Sequence, residues 1–144
     1  MAITSNAICN SFKKELLEAK HNFSNPGGNS FKLAMYTSAA VIGKSTTSFL
    51  TTGQVSSPSG YSSGGKALTN VGTSLATNTA ITDFADLSFT GVTLTARGAL
   101  IYNDTNEDRA VCVLDFGGDK TATAGTFTIQ FPAFTTSAAI LRIA

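Results

Sequence analysis

The chain contains a single histidine, His21, followed by Asn22 and Phe23. One histidine is enough for the base of a Ser–His–Asp hydrolase, so that chemistry is formally open. Its place just past a short amphipathic segment reads instead as a solvated residue at a helix end, and no hydrolase is expected. Asp104, Asn106 and Asp108 stand at alternate positions, the opening spacing of a calcium loop. Counted from Asp104, the glycine position of such a loop is Arg109 and its closing glutamate position is Asp115. Asn and Asp also favour tight turns through their own backbone hydrogen bonds, so the run is expected to be a turn.

Gly60-Tyr61-Ser62-Ser63-Gly64-Gly65-Lys66 is glycine-rich enough to cradle a phosphate. It lacks the Gly-x-x-x-x-Gly-Lys-Ser/Thr order and no helical pattern follows it, which makes a flexible loop leading into a strand the expectation. Asp83, Asp86, Asp115 and Asp119 supply carboxylates for a glycosidase pair. Such pairs work in an apolar, sugar-stacking cleft, and the chain has no Trp and three Tyr: Tyr36, Tyr61 and Tyr102. Asp115 and Asp119 flank Gly117-Gly118, where turn or cap duty is expected. Cys9 and Cys112 are the only cysteines; one disulfide is arithmetically possible, a zinc site is not, and two free thiols are expected. No catalytic, cofactor-binding or metal-binding residue is assigned, and no cofactor.

Ten basic and nine acidic residues give a net charge of +1, and the basic ones are scattered without aromatic interleaving. Specific nucleic-acid reading is therefore not expected. Arg97 interrupts an apolar run and needs a partner; Asp115 is the candidate.

The elements that must position these residues are mostly strands. Charged residues make up 13% of the 144, about half the usual share. With 15 Ser, 21 Thr and 13 Gly, this is the composition of exposed β-structure. One helix is expected over residues 4–19, with Ile8, Phe12, Leu16 and Ala19 on its apolar stripe, Lys13, Lys14, Glu15 and Glu18 elsewhere, and Thr4, Ser5 or Asn6 as cap. Asn25-Pro26-Gly27-Gly28-Asn29 stops it. Phe31, Leu33 and Met35 then alternate with Lys32, Ala34 and Tyr36 as a half-buried strand.

Residues 41–65 read as a long surface loop, rich in glycine and containing Pro58, with at most a weak strand near Phe49. Strands are expected at 67–71 and at 79–84, the latter with Ile81 and Phe84 inward. The apolar runs 92–102 and 109–116 flank Asn103–Asp108 as a hairpin ended by Gly117-Gly118. Strands at 126–131, stopped by Pro132, and at 138–143 complete the set. The fold expected is mainly β: an antiparallel β-sandwich or open barrel of about seven strands with one N-terminal amphipathic helix, a single domain over 1–144. The opening Met1-Ala2-Ile3-Thr4-Ser5-Asn6 has no basic run before an apolar core, and no apolar stretch reaches about 18 residues. Neither a secretory signal peptide nor a membrane span is expected, and synthesis in a cytoplasm is the expectation.

Several segments, taken in order, resemble a family of small tailed-bacteriophage virion structural proteins. They are Phe12-Lys13-Lys14-Glu15-Leu16-Leu17, Phe31-Lys32-Leu33-Ala34-Met35-Tyr36, Gly60-Tyr61 through Gly64-Gly65 to Leu68-Thr69-Asn70, and Thr95-Ala96-Arg97-Gly98-Ala99-Leu100-Ile101-Tyr102. Leu114-Asp115-Phe116-Gly117-Gly118-Asp119-Lys120, Gly125-Thr126-Phe127-Thr128-Ile129 and Ile140-Leu141-Arg142-Ile143 follow, and the variable stretch is 37–59. The resemblance implies a structural, non-enzymatic role in the virion and carries no catalytic residues. Its leading form is a capsid decoration or cement protein on the head surface, bound to the major capsid protein. The alternatives are a tail component (tube, fibre-attachment or baseplate-associated subunit) and a virion-displayed receptor- or glycan-binding module. A lattice-binding role suits a cyclic homo-oligomer such as a trimer at local three-fold positions. Candidate contact elements are the helix and the 41–65 loop.

Overall fold

A computed structural model describes residues 3–56 and 60–144; Pro58 and the opening Met1-Ala2 lie outside the described residues. The protein is a mainly β, antiparallel sandwich with one short N-terminal helix. Its elements are β1 (Ala7–Ile8), α1 (Asn10–Leu17), β2 (Phe31–Tyr36), β3 (Lys66–Ala67), β4 (Asn70–Ala76), β5 (Thr79–Phe84), β6 (Leu87–Asn103), β7 (Arg109–Ile129) and β8 (Leu141–Ile143). One sheet has the order β1-β7-β6-β2-β3, the other β4-β5-β8.

Residues paired across β2 and β6 share a face, which shows what covers each side of the large sheet. Phe31 and Leu33 lie opposite Asn103 and Ile101. On that face Phe84 of the small sheet packs 5.8 Å from Phe31, and Phe23 stacks on Phe31 at 4.4 Å. The other face holds Ala34, Tyr36 and Tyr102, and Phe49 and Leu50 of the loop after β2 pack over it. Phe49 stacks on Tyr102 at 4.8 Å, and the Tyr36 hydroxyl donates to the Leu50 carbonyl at 2.6 Å. Strand β2 is therefore buried on both sides except at Lys32, where alternation alone implies a half-buried strand.

The glycine-rich segment is pinned rather than loose. The Tyr61 hydroxyl accepts from the Met35 N–H at 2.9 Å and donates to Gln54 Oε1 at 2.9 Å, and Gln54 Oε1 also accepts from the Gly64 N–H at 2.7 Å. Gly65, at φ +81°, lies so close to β2 that a Cβ would come within 1.8 Å of the Leu33 carbonyl oxygen. Only glycine fits there.

Six expectations need correction. The helix spans Asn10–Leu17 rather than 4–19, because Ala7 and Ile8 pair with Val113 and Cys112 as the edge strand β1. Its cap is consequently Cys9, without a side-chain cap bond, in place of Thr4, Ser5 or Asn6; the Asn10 N–H is satisfied by the Lys44 carbonyl at 2.8 Å. The expected 67–71 strand divides into β3 and β4, and β8 is shorter than 138–143. Near Phe49 there is only an isolated bridge, Ser48 with Arg109. Gly117-Gly118 does not end β7: Ala96 pairs with Lys120 and Gly98 with Asp115, so Phe116–Asp119 bulges out opposite Arg97 and the strand resumes.

Candidate functional site

Helix α1 and the small sheet leave a groove of about 450 Å³ between them. Phe12, Leu16 and Leu17 form its helical wall, Ile81, Leu141 and Ile143 the opposite one, and Phe23 contributes from the segment after the helix. An eight-residue helix cannot turn Leu16 and Leu17 both to the core. Leu17 is 91% exposed, Ile143 61% and Ile8 39%, so the groove has an apolar rim as well as an apolar lining. The charged residues that line it are Lys13 and Arg142, both cationic. The Arg142 guanidinium donates to the Thr136 and Ser137 carbonyls at 3.4 and 2.8 Å, which holds the cation in place. Beside the groove runs β8, the last strand of its sheet, whose outer edge pairs with no described strand.

Behind α1 lies a buried polar cluster. His21 Nε2 meets Glu15 Oε1 at 3.0 Å, and Arg109 donates to Glu15 Oε2 at 2.8 Å. The Asn103 amide nitrogen, with two hydrogens to give, lies 3.0 Å from the Asn29 side-chain oxygen, 3.1 Å from His21 Nδ1 and 3.3 Å from the Lys20 carbonyl. Its oxygen accepts from the Thr105 and Asn106 N–H groups at 3.1 and 3.2 Å. Burial opposes ionisation of Glu15, but the hydrogen bonds and charge of His21 and Arg109 outweigh it and hold the carboxyl below the usual carboxylate range. Burial dominates at His21 and pushes the imidazole below its ordinary value despite Glu15. His21 is therefore a buried residue, correcting the solvated role expected for it: Phe12, Phe23 and Phe31 surround the ring and its polar atoms are all spoken for. Glu15 likewise moves from the expected solvent face to the interior.

The remaining sequence candidates do not converge. Asp104, Asn106 and Asp108 occupy the β6–β7 turn, with Asp104 paired to Lys32 at 3.5 Å. Among the described residues no three His, Cys, Asp or Glu side chains are grouped to hold a metal ion. Gly60-Tyr61-Ser62-Ser63-Gly64 also fits the Gly-x-Ser-x-Gly spelling of a nucleophile elbow. Here it forms a turn, Gly65 N–H to Ser62 carbonyl at 2.9 Å, which runs into β3 rather than into a helix. Asp83 is buried in β5 with one oxygen accepting from the Phe84 N–H at 2.9 Å, while Asp86 accepts from the Phe131 N–H at 2.8 Å. Burial pushes the Asp83 carboxyl up. Arg97 pairs with Asp115 as expected. Cys9 and Cys112 are free and buried; burial pushes the Cys9 thiol up to about 11 and Cys112 up as well. No described helix is long and apolar enough to cross a membrane.

A third surface completes the description. Beyond the stretch where β2 pairs with β6, the β6–β7 hairpin continues as a two-stranded ribbon with Leu87, Phe89, Val92 and Leu94 buried. Its outer side carries Thr93, Thr95, Thr121 and Thr128, with cross-strand hydroxyl pairs Thr95–Thr121 at 2.9 Å and Ser88–Thr128 at 3.1 Å. No charged residue occurs in 87–96 or 121–131. No protein-family model matches this chain, and no curated protein or solved structure matches it either.

Proposed function

We propose that the protein is a non-enzymatic structural component of a tailed-bacteriophage virion, a decoration or cement protein that binds the head exterior and clamps the shell of the major capsid protein. The observation that carries this reading is the apolar groove beside the open β8 edge. An extended segment of a shell subunit can add to β8 as a fourth strand through backbone hydrogen bonds, placing alternate apolar side chains in the groove. Lys13 and Arg142 on an otherwise apolar lining favour a segment that carries a carboxylate. The uncharged hydroxyl face of the ribbon adds a surface with few long side chains to immobilise on association. Repetition over a lattice multiplies such contacts, so no single copy has to bind tightly.

The test uses shells stripped of the protein. Re-addition should restore binding and raise resistance to rupture by heat or low salt. Leu17→Asp, at a position 91% exposed and so without consequence for folding, should weaken shell binding by about tenfold or more. Equal rupture of bare and decorated shells overturns the clamping role. In negative-stain images of particles labelled against the protein, label confined to the tail transfers the chain to the tail. Glycan binding without shell affinity replaces the proposal with a recognition module.

A further inference from the structure

Helix α1 is both a wall of the groove and the element held by His21. The ring is fully buried, and each of its nitrogens has one assigned partner. The amide nitrogen of Asn103 has no lone pair to offer, so the Nδ1 that faces it stays unprotonated, and Nε2 carries the proton donated to Glu15. The Asn103 amide cannot turn over to present its oxygen instead, since that oxygen already accepts from the Thr105 and Asn106 N–H groups. The neutral Nε2–H tautomer is thus fixed from both sides. A proton added at Nδ1 points at another donor and finds no acceptor.

Charge adds to the mismatch. The charged groups facing the ring are Glu15 from α1 and Arg109 from β7; Arg109 also reaches Glu107 in the turn at 3.0 Å. Strand β6 presents the neutral Asn103, and the flanking rings Phe12, Phe23 and Phe31 offer no hydrogen-bond acceptor. Glu15, the carboxylate in contact with the ring, already pairs with Arg109, so a protonated His21 would have to share it with the guanidinium while losing its own hydration.

Beyond this cluster the helix is held by Phe12, by partly buried Leu16 and by the Asn10 N–H bond to the Lys44 carbonyl. It is eight residues long, has no side-chain cap and no acidic residue in its first turn. A helix of that length is not stable alone and depends on its tertiary contacts. Of its residues only Phe12 and Glu15 are buried.

We infer that His21, Glu15 and Asn103 form an acid-sensitive latch: protonation of His21 releases α1 from the β6–β7 turn and takes down one wall of the docking groove. The latch is a property of the isolated protein; its control of docking rests on the function proposed above.

Amide hydrogen exchange on the intact protein, corrected for the intrinsic pH dependence of the chemistry, tests the latch. Between about pH 7.5 and 5.5, protection over residues 10–30 should fall by about tenfold per pH unit once His21 begins to titrate, while β2 and the β6–β7 strands stay protected. His21→Gln should abolish that pH dependence. Equal protection at both pH values, or the same pH response in His21→Gln, overturns the latch. Should that variant not fold, proton titration of the wild-type ring by NMR decides. Coupled protonation and loss of helix protection support the latch; titration at the ordinary histidine value with the helix still protected overturns it. Shell binding is the separate arm. Reversible loss of binding on acidification supports control of docking, whereas an open helix with undiminished binding overturns it. Absence of binding even at neutral pH overturns the docking function and leaves the latch to be decided by exchange alone.

Discussion

At its turn the β6–β7 hairpin is fastened by buried charge and directional hydrogen bonds, whereas at its open end the same two strands run without a charged residue over 87–96 and 121–131. The turn end gathers Glu15, His21, Asn29, Asn103 and Arg109 from five separate stretches of chain. Each member is tied by directional bonds to named partners. The open end is ordered differently, by alternation: Leu87, Phe89, Val92 and Leu94 go inward and hydroxyls go outward. Directional networks fix one arrangement and fail sharply when a member is removed. Alternating faces tolerate substitution on the solvent side, which suits a surface shown to a partner.

Asn103→Ala should break the comparison at its strongest point. The side chain is completely buried and serves both the ring and the turn. Its loss leaves His21 Nδ1 facing a void and reduces the Thr105 and Asn106 N–H groups to their longer backbone bonds, to the Ser30 and Asn103 carbonyls at 3.4 and 3.3 Å, at a cost of about 2 kcal/mol in unfolding free energy. Urea denaturation at neutral pH measures this, and a loss below about 1 kcal/mol contradicts the reading of the cluster as a tightly coupled network.

The pH dependence separates the two ends next. His21 has its folded value below the ordinary 6.5, so between the two the unfolded chain binds more protons and stability rises with pH. That contribution is complete above 6.5 and is lost on acidification below it. Glu15, also held low, adds a second loss as pH falls below 4.5. Asp83 has the opposite sign: its carboxyl is raised, so its buried charged form costs stability as pH climbs above 3.8. Unfolding free energy should therefore drop from about pH 7 to 5.5 in the wild type and stay level there in His21→Gln. A flat wild-type profile contradicts this.

Much of the open end is legible along the chain, and little of the turn end is. Alternation over residues 92–95 and over 126–129 reports directly on strands, because each residue's face follows from its neighbours. Arg97 is legible for another reason: a cation within an apolar strand demands a partner, and Asp115 is it. Glu15 sends no such signal. Its burial depends on Arg109, 94 positions away, and a charged residue on a short helix ordinarily faces water. The start of α1 is hidden too, since Ile8 continues the helical spacing yet pairs with β7. Gly117-Gly118 reads as a terminator because a bulge and a strand end call for the same residues. The groove had one local sign, adjacent Leu16 and Leu17 on a helix too narrow to bury both.

Arg97→Ala sits between the two ends, at the bulge where the paired sheet gives way to the ribbon. Both partners of the ion pair are largely shielded, and Asp115 also accepts from the Gly117 N–H at 2.8 Å. Removal of the guanidinium should cost about 1–2 kcal/mol and loosen the Phe116–Asp119 bulge, visible as faster amide exchange there. An unchanged melting temperature eliminates Arg97 as the element that joins the two regions.

Thr95→Ala on the ribbon should change stability by less than about 0.5 kcal/mol, since its hydroxyl bond to Thr121 is exposed and water replaces it. The informative companion is Thr95→Lys. If the uncharged face serves only as solvated surface, the lysine should be as silent as the alanine in every assay. If the face contacts the shell, the lysine should weaken shell binding while leaving the unfolding midpoint in place, because the side chain must then be desolvated and immobilised against the partner. Equal binding by both variants would confine docking to the groove between α1 and β8. A selective loss with lysine would extend it along the ribbon, to the end of the molecule where charge is absent.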